Sequence, residues 1–203
     1  MQLESAPLHA LFGVMMWQLI QDFTDPKIRI VGFGSRTDFE AGEEPSEILT
    51  QLPEDFGTPG YGARRTKGIE EHFGLMSFEG PSDRRELLDL FDYCHDPSVE
   101  LREYLWAHRA VDVSRARRVI EIIPAEMTIA ILRYLVDDYW GRYLGWPDLL
   151  LWRDEDFMMV EVKSSSDKLS TDQMRWIADN YNTLKVPFRV AKLHRKRSPR
   201  ATT

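Results

Sequence analysis

A single cysteine, Cys94, in 203 residues excludes a disulfide framework and a thiolate zinc centre, both of which need at least two thiols. Cys94 has no partner in any nucleophile motif and reads as a small buried residue. No apolar run approaches the roughly 18 residues that a membrane-spanning helix requires. The opening MQLESAPLHALFG lacks the basic and apolar segments of a secretory leader. Basic charge is also in short supply, with 26 Lys and Arg against 33 Asp and Glu, a formal net charge of −7 that argues against a surface coated with phosphate-binding groups. The histidines His9, His72, His95, His108 and His194 fall in no zinc-ligand spacing and read as structural. Gly32-x-Gly34 lacks the third glycine of a dinucleotide loop. What is present, 43% hydrophobic residues and six tryptophans, excludes global disorder. The expectation is a soluble, intracellular protein without a membrane partner. It would be cytoplasmic in a prokaryotic or phage-like source and nuclear in a eukaryotic one.

Charge is segregated along the chain. Residues 1–132 hold 13 basic and 23 acidic side chains, whereas residues 133–203 hold 13 and 10, a local excess of three positive charges. The chain closes on Lys192, His194, Arg195, Lys196, Arg197 and Arg200, a basic tail over 195–203 whose ordinary reading is a solvated end. The C-terminal third is thus free to meet a polyanion.

Apolar periodicity predicts a first helix over 7–20, with Leu8, Leu11, Phe12, Met15 and Leu19 on one face, Ser5 as N-cap and Pro7 in the first turn. From Gly32 to Gly68 the pattern dissolves into glycines, prolines and the acidic run Glu40–Glu47, predicting an irregular, partly mobile insertion with a helical turn or two. Helices are predicted after Pro81-Ser82-Asp83 (84–93), after Ser98 (99–110), after Ser114 (115–122) and after Pro124 (125–140). Trp17, Trp106, Trp140 and Trp176 fall on periodic faces and read as core. The period then changes to strand-like runs at 148–152 and 157–163, joined by Arg153-Asp154-Glu155-Asp156 as a hairpin turn. Ser170 and Gln173 make a capping-box pair ahead of a helix to about Tyr181, and a last strand, 188–193, follows Pro187.

The chemistry concentrates in Gly145-Trp146-Pro147-Asp148-Leu149 and, thirteen residues beyond Asp148, Glu161-Val162-Lys163. Alternation along a strand puts Glu161 and Lys163 on one side and Val162 on the other, and a hairpin returns Asp148 beside Glu161. Two neighbouring carboxylates repel unless a proton or cation lies between them. A hard divalent ion with oxygen ligands resolves that repulsion, polarises a phosphodiester and acidifies a bound water, while the lysine steadies charge on the phosphate. The alternative reading is a surface hairpin with an ordinary Glu–Lys pair.

GWPDLLLW followed by MMVEVKSSSDKLSTDQMRWI resembles the signature of the VRR-NUC domain within the PD-(D/E)xK nuclease superfamily, down to Asp167, Lys168, Leu169, Ser170, Gln173 and Trp176. The start, ESAPLHALFG to Met16-Trp17, is similar to the opening of the nuclease domain in the Fanconi-anaemia-associated nucleases. The resemblance implies an α/β, restriction-endonuclease-like core, a mixed sheet flanked by helices, carrying a mostly helical insertion. It divides the single domain 1–203 into a core (1–30 and 120–197) and an insertion (31–119). It also implies Mg²⁺ or Mn²⁺ held by Glu4, Asp148, Glu161 and the carbonyl of Val162, with Lys163 assisting catalysis. Arg142, Lys168, Gln173 and Arg175 become candidate DNA-binding residues, although Gln173 also reads as a cap. Where many relatives carry Gly-Pro after the lysine, this chain has Ser164-Ser165, which leaves the following loop open.

The implied activity is metal-dependent hydrolysis of branched DNA, a 5′ flap or nicked junction, in DNA repair. A homodimeric four-way-junction resolvase, a non-catalytic DNA-binding module of the same fold and a restriction-type endonuclease are the alternatives. The long insertion favours a monomer, because it would cover a dimer surface.

Overall fold

The computed structural model describes residues 1–76 and 83–194. The predicted cap Pro81-Ser82 and the basic tail over 195–203 lie outside the described residues.

The first helix, α1 (Ala6–Met15), followed by the short α2 (Trp17–Ile20), is the centre of the fold. Every residue from Pro7 to Met15 is buried, so the one-sided helix read from Leu8, Leu11, Phe12, Met15 and Leu19 is corrected to one enclosed on all sides. Its composition permits this, since APLHALFGVM has no charged residue to hydrate. Ser5 occupies the N-cap position without making the side-chain cap bond.

Residues 28–53 are not the irregular loop the glycines suggest. Strand β1 (Ile28–Gly34) and strand β2 (Glu47–Pro53) pair antiparallel from Ile28↔Pro53 to Gly34↔Glu47, with α3 (Arg36–Ala41) between them. The expected boundary at residue 30 therefore cuts a strand. Helices α4 (Pro59–Arg64) and α5 (Thr66–Gly74) follow. Arg64 bridges Asp25 (2.8 Å) and Asp55 (2.7 Å), fastening the ribbon's base to α4.

Helices α6 (Asp83–His95), α7 (Val99–Tyr104) and α8 (Ala110–Ile122) pack around α1. The helix predicted over 99–110 breaks at Trp106, whose φ of 55° is left-handed, and Ser114 lies inside α8 instead of capping it. Cys94 is buried, and burial raises its thiol pKa. Next come α9 (Ala125–Asp137) and α10 (Tyr139–Arg142), in place of one helix over 125–140. The side chain of Asp138 caps α10. Trp176 is in the core as expected, whereas Trp106 and Trp140 are exposed, Trp140 donating to the Phe56 carbonyl.

The C-terminal third follows the predicted order. Strand β3 (Leu149–Arg153) and strand β4 (Asp156–Ser164) form the hairpin, with Asp154 taking the left-handed turn conformation at φ 54°. Helix α11 (Thr171–Asp179) runs into a π-helical turn, Asn180–Leu184, and strand β5 (Phe188–Leu193) lies parallel to β4. The sheet order β3-β4-β5 is mixed, giving the expected α/β class. Met1–Leu3 adds to its β3 edge through a bridge between Gln2 and Leu149. No helix among the described residues is long and apolar enough to cross a membrane.

His9 faces the core of this arrangement, its Nδ1 3.1 Å from the Tyr139 hydroxyl. Burial lowers its pKa to about 4, from an ordinary value of 6.5, and also lowers that of His72. Between those two pH values the unfolded chain binds a proton at His9 that the folded chain refuses, so stability is full above about pH 6.5 and falls as pH drops toward 4. Urea midpoints should decline over this window, with His9 accounting for roughly 3 kcal/mol by pH 4. His9→Gln, which keeps a hydrogen-bonding group for Tyr139, should flatten that decline.

Candidate active site

Register in the hairpin builds the site. Leu149 pairs with Val160, so Asp148, one residue before β3, comes opposite Glu161. The Val162 amide donates to Asp148 Oδ2 at 2.7 Å, anchoring the first carboxylate to the strand that carries the second. Glu161 is only 2% exposed. Its Oε1 accepts from Lys163 Nζ at 2.7 Å and from Gln173 Nε2 at 2.6 Å. Its Oε2 is buried without a hydrogen-bond partner among the described residues. An unsatisfied buried polar oxygen costs about 1–3 kcal/mol, and one on a carboxylate is a natural ligand for a hard cation. The bond to Glu161 raises the Lys163 pKa and keeps the ammonium charged.

Gln173 serves two elements at once. Its Oε1 accepts from the Ser170 amide (3.0 Å) while Ser170 Oγ accepts from the Gln173 amide (3.2 Å), completing the predicted capping box. The remaining amide protons are then directed at Glu161. The helix is held against the sheet by Trp176, which meets Phe188 and Trp146 at centroid distances of 5.0 and 5.5 Å.

The loop after Lys163 closes without Gly-Pro. Asp167 Oδ2 accepts from the Ser164 amide (3.0 Å), and the Asp167 amide reaches back to the Ser164 carbonyl (3.3 Å). The Ser164 amide foremost, and the Ser164 side chain after it, hold the Asp167 carboxyl pKa below the usual carboxylate range. In the sequence Asp167 is only a motif position. An aspartate three residues beyond a strand end is the sequence signal for this turn.

The other candidates divide. Glu4 is exposed, with a strained φ of 24°, and its amide sits 3.4 Å from the Asp148 carbonyl. Its backbone therefore abuts the site, but no three Asp, Glu, His or Cys side chains among the described residues cluster closely enough to hold a metal. Three close negative charges repel, which opposes bringing the Glu4 carboxylate onto the other two. Arg142 donates to the Tyr134 carbonyl (2.7 Å) and stacks on the Tyr134 ring, so its charge serves the end of α9. Arg175 pairs with Asp172 at 2.8 Å. Lys168 is exposed and forms no ion pair among the described residues.

Residues 93–194 match the VRR-NUC domain family. The chain is 34% identical over 184 residues to the Fanconi-associated nuclease 1 homolog of Caenorhabditis briggsae, covering 87% of this chain and 19% of that protein. It is 30% identical over 178 residues to Fanconi-associated nuclease 1 of Homo sapiens, covering 87% and 16%. It thus spans less than a fifth of the length of either relative. A crystal structure of paFAN1 bound to 2-nt 5′ flap DNA with a gap superposes at TM-score 0.64 and 22% identity, covering 97% of this chain and 32% of that one. The 1-nt flap complex gives 0.67 at 20% identity, covering 98% and 32%. These likenesses show a shared, restriction-endonuclease-like fold.

Gly145 explains one fixed point of the GWPD segment. Its φ is 88°, and a Cβ there would lie 2.4 Å from the Asp172 carbonyl at the start of α11. Gly145→Ala should therefore cost at least about 2 kcal/mol in chemical denaturation, combining left-handed strain with displacement of the helix that carries Gln173.

Proposed function

Because this chain belongs to the VRR-NUC domain family, we propose that it is a metal-dependent, structure-selective DNA nuclease, hydrolysing phosphodiester bonds at or near a 5′ flap or nicked junction during DNA repair. The observation that carries this reading is one corner holding Asp148, Glu161 and Lys163, with the second oxygen of the buried Glu161 left without a partner. The flap DNA in the paFAN1 complexes supports the choice of substrate. The core segments 1–30 and 120–197 supply the site, and the chain works as a monomer.

Asp148, Glu161 and the carbonyl of Val162 would hold Mg²⁺ or Mn²⁺, with Glu4 as a third acid supplied from the strand-to-α1 turn. Such an ion, when bound, polarises the phosphodiester and acidifies water. The protein's own groups do the rest. The Val162 amide fixes the orientation of Asp148. Gln173, a neutral donor, steadies Glu161 without cancelling its charge. Lys163 presents an ammonium where negative charge grows on the phosphate as water attacks, and its bond to Glu161 holds it in place beforehand. Lys168 is suited to backbone phosphate contact, which positions DNA without reading sequence.

Incubation with labelled flap, four-way-junction and unbranched duplex DNA tests the proposal. Metal-dependent cutting of the flap is expected, and Asp148→Ala or Lys163→Ala should slow it by about 10²–10³-fold. Unchanged processing by Asp148→Ala would move the chemistry elsewhere, and cutting of unbranched duplex at a fixed sequence would indicate a restriction-type enzyme.

Calorimetric titration with Mn²⁺ addresses the ligands. Asp148→Asn should abolish binding, whereas Glu4→Gln should weaken it by about tenfold, the loss of one charge-assisted contact. Equal affinity in Glu4→Gln and wild type would remove Glu4 from the set.

A further inference from the structure

Lys192 belongs to the basic C-terminal cluster by sequence, yet the structure puts it in the sheet. It ends up in β5, directly opposite Lys163 in the parallel register with β4. Side chains alternate along both strands, so Glu161, Lys163, Val190 and Lys192 share one face, while Val162, Arg189 and Ala191 share the other. Adjacent strands lie about 4.8 Å apart, and the two lysine stems leave the sheet side by side.

Their charges are committed differently. The Lys163 ammonium is matched by Glu161 at 2.7 Å. The nearby Asp167 carboxylate is tied to the Ser164 amide. Lys192 is exposed and has no ion pair among the described residues. It is therefore the cation of this face without a direct ion pair, its charge reaching Asp167 only at longer range, beside two carboxylates that would otherwise repel a polyanionic substrate.

We infer that Lys192 is a substrate-binding residue that holds a backbone phosphate of the nucleic acid beside the phosphodiester presented to Lys163 and Glu161. This inference rests on the nuclease reading above and adds to it the group that draws the substrate backbone onto the carboxylates. It also excludes a part for Arg189, an equally exposed cation three residues away, which the same alternation turns to the opposite face.

The test compares Lys192→Met, Lys192→Arg and Arg189→Met in the full chain. Binding of fluorescent 5′ flap DNA is followed by anisotropy in Ca²⁺ over a series of KCl concentrations, and cleavage is followed in Mg²⁺. Lys192→Met should raise Kd and KM by about five- to tenfold, leave kcat within about threefold, and reduce the log–log salt slope by about 0.9, the signature of one lost phosphate contact. Lys192→Arg should restore binding, and Arg189→Met should stay within about twofold of wild type in both measures. Equal effects of Lys192→Met and Arg189→Met would reduce Lys192 to general electrostatics and overturn the inference, as would no effect, or no DNA binding by the wild-type chain. Lys192-dependent binding without cleavage would uphold the inference while defeating the nuclease reading. Cleavage indifferent to Lys192 would do the reverse.

Discussion

Burial of the Glu161 carboxylate is the constraint around which the C-terminal third is arranged. An ionised carboxylate removed from water is tolerable only with charged or strongly polar partners. Here those partners come from two directions, Lys163 on the same strand and Gln173 from α11. The requirement reaches back through the structure. Gln173 is in place because the capping box with Ser170 fixes the start of α11. The capping box is in place because the Ser164–Asp167 turn delivers the chain to that point, and because Gly145 lets the GWPD segment pass close beneath the helix. One oxygen of Glu161 is thereby satisfied and the other is left for chemistry.

That unsatisfied oxygen is a cost of the kind functional sites carry, and the rest of the fold offsets it. The apolar helix α1 and the helices around it supply the stabilisation, and residues 1–132 as a whole hold 23 acidic against 13 basic side chains. Several of those acids are internally paired, as in Arg117–Asp92, Arg133–Glu70 and Arg64 with Asp25 and Asp55. The overall charge of −7 is accordingly a poor guide to the potential at the carboxylate corner, which is set by a few side chains on β4, β5 and the loop between β4 and α11.

The hairpin, the capped helix and the final strand were legible because each is a local decision. Alternation of Met158–Lys163, the Asp-rich turn, the Ser170–Gln173 spacing and Pro187 all act within a few residues of the structure they specify. The ribbon of β1 and β2 was not legible, because Gly32 and Gly34 weaken the strand pattern and its pairing spans α3. The enclosure of α1 was hidden for a different reason. Periodicity reports a buried stripe only when the opposite face is polar, and this helix has no polar face. Among the candidate site residues, Asp148, Glu161 and Lys163 could be related through hairpin register. The commitments of Arg142 to Tyr134 and of Arg175 to Asp172 depend on side-chain rotamers that spacing does not encode.

The short bridge between Gln2 and Leu149 ties residues 1–3 to the β3–β4 hairpin, with the Met1 and Leu150 backbones also joined by hydrogen bonds. Strand β5, which completes the sheet, begins only at Phe188, after α11 and the π-helical turn. Helix α1 packs against α6, α7 and α8, which begin only at residue 83, a costly loop closure that favours late assembly. The sheet behind the carboxylates is therefore complete only once β5 has been synthesised. A polypeptide stalled before β5 holds Asp148, Glu161 and Lys163 on the β3–β4 hairpin but lacks the third strand, and with it Lys192, on that side of the sheet.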